Sequence, residues 1–167
     1  YTGAFSVYAK HFGAGGVTGV DISDKGLKTA ENNMKLNNFN NYEFIKGDVF
    51  EFLRKQAAKK EKYDVIILDP PPFSKTKSEK EGAMSGHKEL HVSALKLLNK
   101  GGYMLSFSCS HSVRGQELME NAYAAAEDAK CEIEPAGVFE QAADHPYNKN
   151  IPETFYLKGI AVKKVIG

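Results

Sequence analysis

The stretch that most restricts the fold of this 167-residue chain is 63–68, YDVIIL, followed at once by Asp69-Pro70-Pro71-Pro72-Phe73. Its side chains are nearly all apolar, without the polar alternation of a half-solvated strand. Such a run is expected where a parallel strand is covered on both faces. The three prolines then stop any pairing, because each lacks an N–H and fixes its own φ.

Helix-like and strand-like segments alternate around this run. Helices are expected over 4–12, 25–38, 49–59, 88–98 and 116–129, and strands over 17–22, 42–46, 63–68 and 103–108. Ser23 suits the cap of the second helix, with Leu27, Ala30, Met34 and Leu36 on its inner side. Phe52 and Leu53 are expected to face inward on the third. Residues 70–85, rich in Pro, Lys and Ser, read as a loop. Two closing strands, 132–139 and 155–165, have little helical sequence between them and are expected to pair antiparallel. Alternating α and β with such an ending implies a mostly parallel sheet flanked by helices. No internal repeat or domain boundary is apparent. Helix-like sequence begins within a few residues of Tyr1 with no strand before it, so the chain is expected to lack a natural first strand.

Composition excludes several alternatives. Hydrophobic residues make up 42% and charged residues 26%, which fits a globular domain rather than a disordered segment. The 22 Lys and Arg nearly balance the 21 Asp and Glu, so affinity for nucleic acid would have to come from local patches or from another domain. No apolar run approaches the roughly 20 residues of a membrane span. No secretory signal is expected. Cys109 and Cys131 lack metal spacing and form no disulfide framework, which suits a reducing, cytoplasmic setting. His87, His91 and His111 show no metal spacing either, and no metal is expected.

In an open α/β sheet, ligands bind beyond the C-terminal ends of the strands. The residues placed there are Asp21, Asp48, Asp69 and Cys109. Gly3, before the first helix, lets a ligand approach the backbone. Asp21 follows it by 18 residues and can accept both hydroxyls of a ribose, although it also suits a cap. Asp48 can accept a hydrogen bond from an adenine amino group, with Val49 and Phe50 flanking the ring, and equally suits a helix cap. In Asp69-Pro70-Pro71-Pro72-Phe73 the carbonyls are free to face a planar ligand and Phe73 is available to stack. A thiol at Cys109 can add to C6 of a pyrimidine and make C5 nucleophilic. Cys131 falls at a helix-to-strand junction on the opposite side and reads as structural. His111 is close enough in sequence to tune Cys109, though a solvated loop position suits it better. Asp144-His145-Pro146 reads as a surface turn near the site mouth.

Tyr1-Thr2-Gly3-Ala4-Phe5-Ser6, Asp21, Gly47-Asp48-Val49-Phe50, Asp69-Pro70-Pro71-Pro72-Phe73 and Phe107-Ser108-Cys109-Ser110 occur in the order seen in class I methyltransferases, which the chain resembles. More narrowly it resembles the bacterial large-subunit rRNA 5-methylcytosine methyltransferases. The tail Gln141-Ala142-Ala143-Asp144-His145-Pro146 and Tyr156-Leu157-Lys158-Gly159 is similar too. The resemblance covers essentially the whole chain. It implies a Rossmann-like three-layer α/β sandwich with an antiparallel C-terminal strand, residues 1–167 being the catalytic domain and a PUA RNA-binding domain lying upstream. S-adenosyl-L-methionine is the implied cofactor, held by Tyr1, Thr2, Gly3, Asp21, Ile22, Asp48, Val49 and Asp69. RNA is the implied partner, with Pro70, Pro71 and Phe73 at the target base, three lysines of 75–80 on phosphate, Cys109 as nucleophile and Asp69 as candidate base. A homodimer is compatible with this reading. Many RNA cytosine-C5 enzymes place a second Cys after the Asp-Pro motif; here Pro71-Pro72-Phe73-Ser74 stands instead, which implies a single-cysteine arrangement. Methylation of a base nitrogen, such as guanine in rRNA, is the nearest alternative. An NAD-dependent oxidoreductase and a non-catalytic RNA-binding module are further ones.

Overall fold

A computed structural model describes residues 1–72 and 80–167 of the chain. They form two compact units, Tyr1–Lys55 and Gln56–Gly167.

In the first unit, helix α1 (Ala4–His11) leads to strand β1 (Val17–Asp21), helix α2 (Asp24–Leu36), strand β2 (Tyr42–Lys46) and the start of helix α3 (Val49–Lys59). Ser23 caps α2 as expected, its Oγ accepting from Gly26 N at 3.1 Å. Leu27, Ala30 and Met34 are buried, but Leu36 is 80% exposed, against expectation. A residue two positions beyond Met34 lies about 200° further round the helix, so both cannot face the core. β1 and β2 pair in parallel, with Val17 opposite Tyr42 and Asp21 opposite Lys46. Gly19 leaves room for the ring opposite, since a Cβ there would come within 2.6 Å of Phe44 Cδ1.

The second unit continues through α3 into strand β3 (Tyr63–Leu68), helix α4 (Lys80–Leu97), strand β4 (Leu98–Ser108), helix α5 (Gly115–Ala129), strand β5 (Glu132–Glu140), a 3-10 turn (Pro152–Thr154) and strand β6 (Lys158–Ile166). The sheet order is β3-β4-β6-β5. β3 and β4 are parallel, while β6 is antiparallel to both β4 and β5. Three strands therefore run one way and the C-terminal strand runs the other, as expected. Its core joins Met104 of β4 and Ile160 and Val162 of β6 to Leu118, Ala122 and Ala125 of α5.

Two expectations need correction in this unit. Val65 of β3 is 53% exposed, so one face of that strand is not covered there. Helix α4 starts at Lys80, within the stretch read as loop. Its early turns are held by packing: Ala83 and His87 are buried, and Asn121 Nδ2 on α5 donates to Met84 O at 2.8 Å. Tertiary contact thus overrides the loop-like composition.

Candidate functional site

The first unit carries Gly3, Asp21 and Asp48. Gly3 is the N-cap of α1 in the left-handed conformation, with φ 76°. A Cβ there would lie 2.7 Å from Ala30 Cβ, so close packing on α2 also demands glycine. Thr2 is pinned by its carbonyl, which accepts from Asn33 Nδ2 at 2.9 Å. Tyr1 lies so near Gly26 that a Cβ there would come within 2.8 Å of its ring.

Asp21 closes β1. Its Oδ1 accepts from Ser23 N at 2.7 Å, which shapes the turn, and its Oδ2 lies 3.6 Å from the Tyr1 amino group. Asp48 stands beyond the end of the adjacent strand, with Oδ1 accepting from Glu51 N at 3.0 Å in the first turn of α3. Asp21 thus shapes the turn before the Ser23 cap, and Asp48 caps α3, each through Oδ1. Gly47 N donates to Asp21 O at 3.1 Å, so the two strand ends are tied together. Val49 is half-buried and Ile22 is 73% exposed. The unit thus presents two acceptor side chains and a glycine turn on neighbouring elements, a donor-poor set that suits hydroxyl and amino groups.

The second unit carries Asp69 and Cys109. Asp69 follows β3, and Cys109 follows β4, the parallel neighbour. They therefore leave the same end of the sheet. Asp69 is an exposed residue, and partial desolvation of its carboxyl pushes it above the usual carboxylate range. Pro70 is half-buried and Pro71 exposed. Phe73, Lys75 and Lys77 lie outside the described residues, and nothing is described of the Lys80 side chain.

Cys109 is a free, half-buried thiol between the buried Ser108 and Ser110. Ser108 Oγ accepts from Ser110 N at 3.3 Å, and Ser110 Oγ lies 2.9 Å from Ser112 Oγ. A Cβ on Gly159 would come within 2.4 Å of Phe107 Cδ1, so this glycine gives the Phe107 ring its place beside the turn. Lys158, noted in the sequence only for its likeness to relatives, is almost wholly buried and donates from Nζ to Ser110 O at 2.8 Å. Cys131 precedes β5 and lies at the other end of the sheet. Burial pushes its thiol up, with Lys164 opposing.

His111 packs its ring 6.0 Å from that of Tyr156. Both line an open depression of about 540 Å³ with Asp144, His145, Pro146, Glu153 and Thr154. Gln141 holds this loop, donating to the carbonyls of His145 and Thr154 at 2.8 Å and accepting from Tyr156 N at 3.0 Å. A hydrogen bond from His145, whose Nδ1 is 3.1 Å from Asp144 Oδ1, lowers the Asp144 carboxyl. His87 and His91 belong to the core instead, and His91 Nε2 is 2.8 Å from Ser106 Oγ. Among the described residues no three His, Cys, Asp or Glu side chains cluster as a metal site, and no helix is long and apolar enough to cross a membrane.

A family model described as "Methyltransferase domain" matches residues 2–159. The chain is 40% identical over 165 residues to "Ribosomal RNA large subunit methyltransferase I" of Shewanella frigidimarina, covering 98% of this chain and 42% of that protein. It is 42% identical over 163 residues to the protein of the same name from Photobacterium profundum, covering 96% of this chain and 41% of the relative. The chain thus spans about two-fifths of the length of these relatives. Among solved structures, a Streptococcus mutans protein assigned to the SAM-dependent methyltransferases superposes with a TM-score of 0.83 at 22% identity, covering 98% of this chain and 42% of that one. A ribosomal protein L11 methylase from Lactobacillus delbrueckii superposes at 0.60 with 18% identity, covering 98% and 65%. At these identities the structural likeness concerns the fold.

Proposed function

Since the chain belongs to the methyltransferase-domain family, with S-adenosylmethionine as its cofactor, we propose that it is the catalytic domain of an enzyme that methylates C5 of a cytosine in large-subunit rRNA. Such an enzyme works on cytoplasmic ribosomal RNA. The observation that carries this reading is the half-buried free thiol of Cys109, which leaves the same end of the sheet as Asp69. Methylation of a base nitrogen requires no thiol, whereas C5 of cytosine is too weak a nucleophile to react unaided.

When bound, the cofactor supplies an electrophilic methyl group. Asp21 and Asp48 fit its nucleoside: each keeps a carboxylate at a strand end, and a carboxylate accepts hydroxyl or amino protons well. Tyr1, Thr2, Gly3, Ile22 and Val49 are the neighbours proposed to complete that contact. For the substrate, the target base leaves its stack, as chemistry on a base requires. Pro70, Pro71 and Phe73 are proposed to receive it. The Cys109 thiolate bonds to C6 and the electron pair moves to C5, which takes the methyl group. A base then removes the C5 proton, and the returning pair expels the thiolate. Asp69 is proposed for that base, since a carboxylate held above its usual range accepts a proton more readily.

The test is a trapped adduct. RNA carrying 5-fluorocytosine at the target, incubated with the enzyme and S-adenosylmethionine, is expected to remain covalently bound, because fluorine does not leave as a proton does. Cys109→Ser abolishes adduct and turnover, whereas Cys131→Ser leaves both nearly intact. Methylation by Cys109→Ser at the parent rate would overturn the C5 reading in favour of a base nitrogen.

A further inference from the structure

We propose that Lys158 is a positioning residue for Cys109: from the facing strand its ammonium anchors the turn that bears the thiol and supplies the positive charge beside which the thiolate forms. The proposal rests on Cys109 being the nucleophile. Its geometry comes from the antiparallel register of β4 and β6. Lys158 lies opposite Ser108, one residue before Cys109. Its Nζ reaches the carbonyl of Ser110, one residue after. The lysine therefore brackets the three-residue turn from both sides.

Its burial needs a reason. Lys158 is only 9% exposed, and lysines are rarely buried without a charged partner. A single carbonyl is modest compensation for a buried ammonium; a thiolate beside it is much better. Burial pushes Lys158 below the usual lysine range, while Cys109 first and Glu117 second pull it back up. Lys158 Nζ holds the carbonyl one residue past Cys109, so its charge lies beside the turn in which the thiolate is proposed to form. Glu117, in the first turn of α5, is the other charged group that acts on Lys158. Asp69 leaves the neighbouring strand, and His111 is turned toward Tyr156.

Lys164, six residues further along the same strand, supplies the contrast. It is also buried, but its Nζ donates to Leu95 O in the last turn of α4 at 3.0 Å and to Leu98 O, the first residue of β4, at 3.2 Å. Lys164 thus clasps a helix C-terminus, a place that favours cations by itself. Lys158 has no helix end to hold, and its turn carries a thiol.

The experiment follows the alkylation rate of Cys109 by iodoacetamide in the full chain. A Cys131→Ser background leaves one thiol, and the pH runs from about 6 to about 10. Lys158→Gln keeps an N–H donor for Ser110 O and removes the charge. It is expected to slow alkylation about tenfold near neutral pH and to converge on the parent rate at high pH, where every thiol is ionised. Lys158→Arg keeps the neutral rate within about threefold. Lys164→Gln leaves the Cys109 profile in place even where it lowers the melting temperature. A purely structural Lys158 would change the rate equally at all pH values, and that outcome, or a profile superimposable on the parent, overturns the proposal. If Lys158→Gln does not fold, Lys158→Arg decides, and a loss of about tenfold near neutral pH in that variant overturns it. RNA turnover separates the two claims. Full activity of Cys109→Ser removes the nucleophile, whatever Lys158 does to alkylation. A dead Cys109→Ser with an unmoved alkylation profile removes only the role of Lys158.

Discussion

At the scale of single residues, the most perturbed groups are His87 and His91, on the buried face of α4. His91 is wholly buried, and burial first, then the neighbouring His87, lowers it from 6.5 to about 3. His87 is lowered by burial to about 4. Both are therefore neutral in the folded chain near neutral pH. In the unfolded chain they titrate near 6.5, so the unfolded state takes up protons first as the pH falls. The stability present above pH 6.5 is lost on acidification until the folded residues protonate, near 4 for His87 and near 3 for His91. The slope is up to roughly 1.4 kcal/mol per pH unit for each histidine. Urea unfolding at pH 7 and at about pH 5 is expected to show this loss, and His91→Gln to reduce it. An equal loss in parent and variant would remove His91 as its source.

Elements were legible where local chemistry decided them. The continuous apolar run of β3, the alternation of β2 and the Ser23 cap of α2 are all local signals, and the structure reproduces them. The antiparallel closing pair followed from the missing helix between two strands. What escaped was set by partners distant in sequence. Gly82, Ser85 and Gly86 look like loop residues until α5 covers Ala83 and His87. His87 and His91 stand four residues apart on α4, and nothing local marks the pair as core. Lys158 is an ordinary strand-end lysine until its register with Ser108 is known. For the candidate site, strand ends were identifiable, whereas the tasks of each carboxylate were left open: Asp21 shapes the turn before the Ser23 cap and Asp48 caps α3, each through Oδ1. A carboxylate at Asp21 that binds a ribose makes charge-assisted hydrogen bonds worth roughly 1.5–3 kcal/mol. Asp21→Ala is accordingly expected to weaken S-adenosylmethionine binding about tenfold to a hundredfold in calorimetry. Asp21→Asn preserves an acceptor for Ser23 N and serves as the folding control. Unchanged affinity in Asp21→Ala would remove this residue from the cofactor site.

Across the whole molecule, stability is expected to be uneven. Tyr1–Lys55 builds its sheet from β1 and β2 alone, and a two-stranded pair is marginal without cover. Its cover comes chiefly from Leu27, Ala30 and Met34 on one helix. Among the described residues Gln56–Gly167 has four strands, and β4 and β6 are inner strands of its sheet. Of the twenty buried apolar residues among the described ones, sixteen lie in this second unit. Local opening free energies follow the density of such contacts. Hydrogen exchange of the chain is therefore expected to be slowest for the amides of β4 and β6, and faster for those of β1 and β2. Leu118 is wholly buried on α5, and its truncation to Ala should cost about 2–5 kcal/mol. That loss is expected to appear as reduced protection in β4 and β6, with a much smaller change in β1 and β2, because the latter already open by local fluctuation. Equal protection in both sheets, lowered equally by Leu118→Ala, would mean that the two units unfold as one cooperative body.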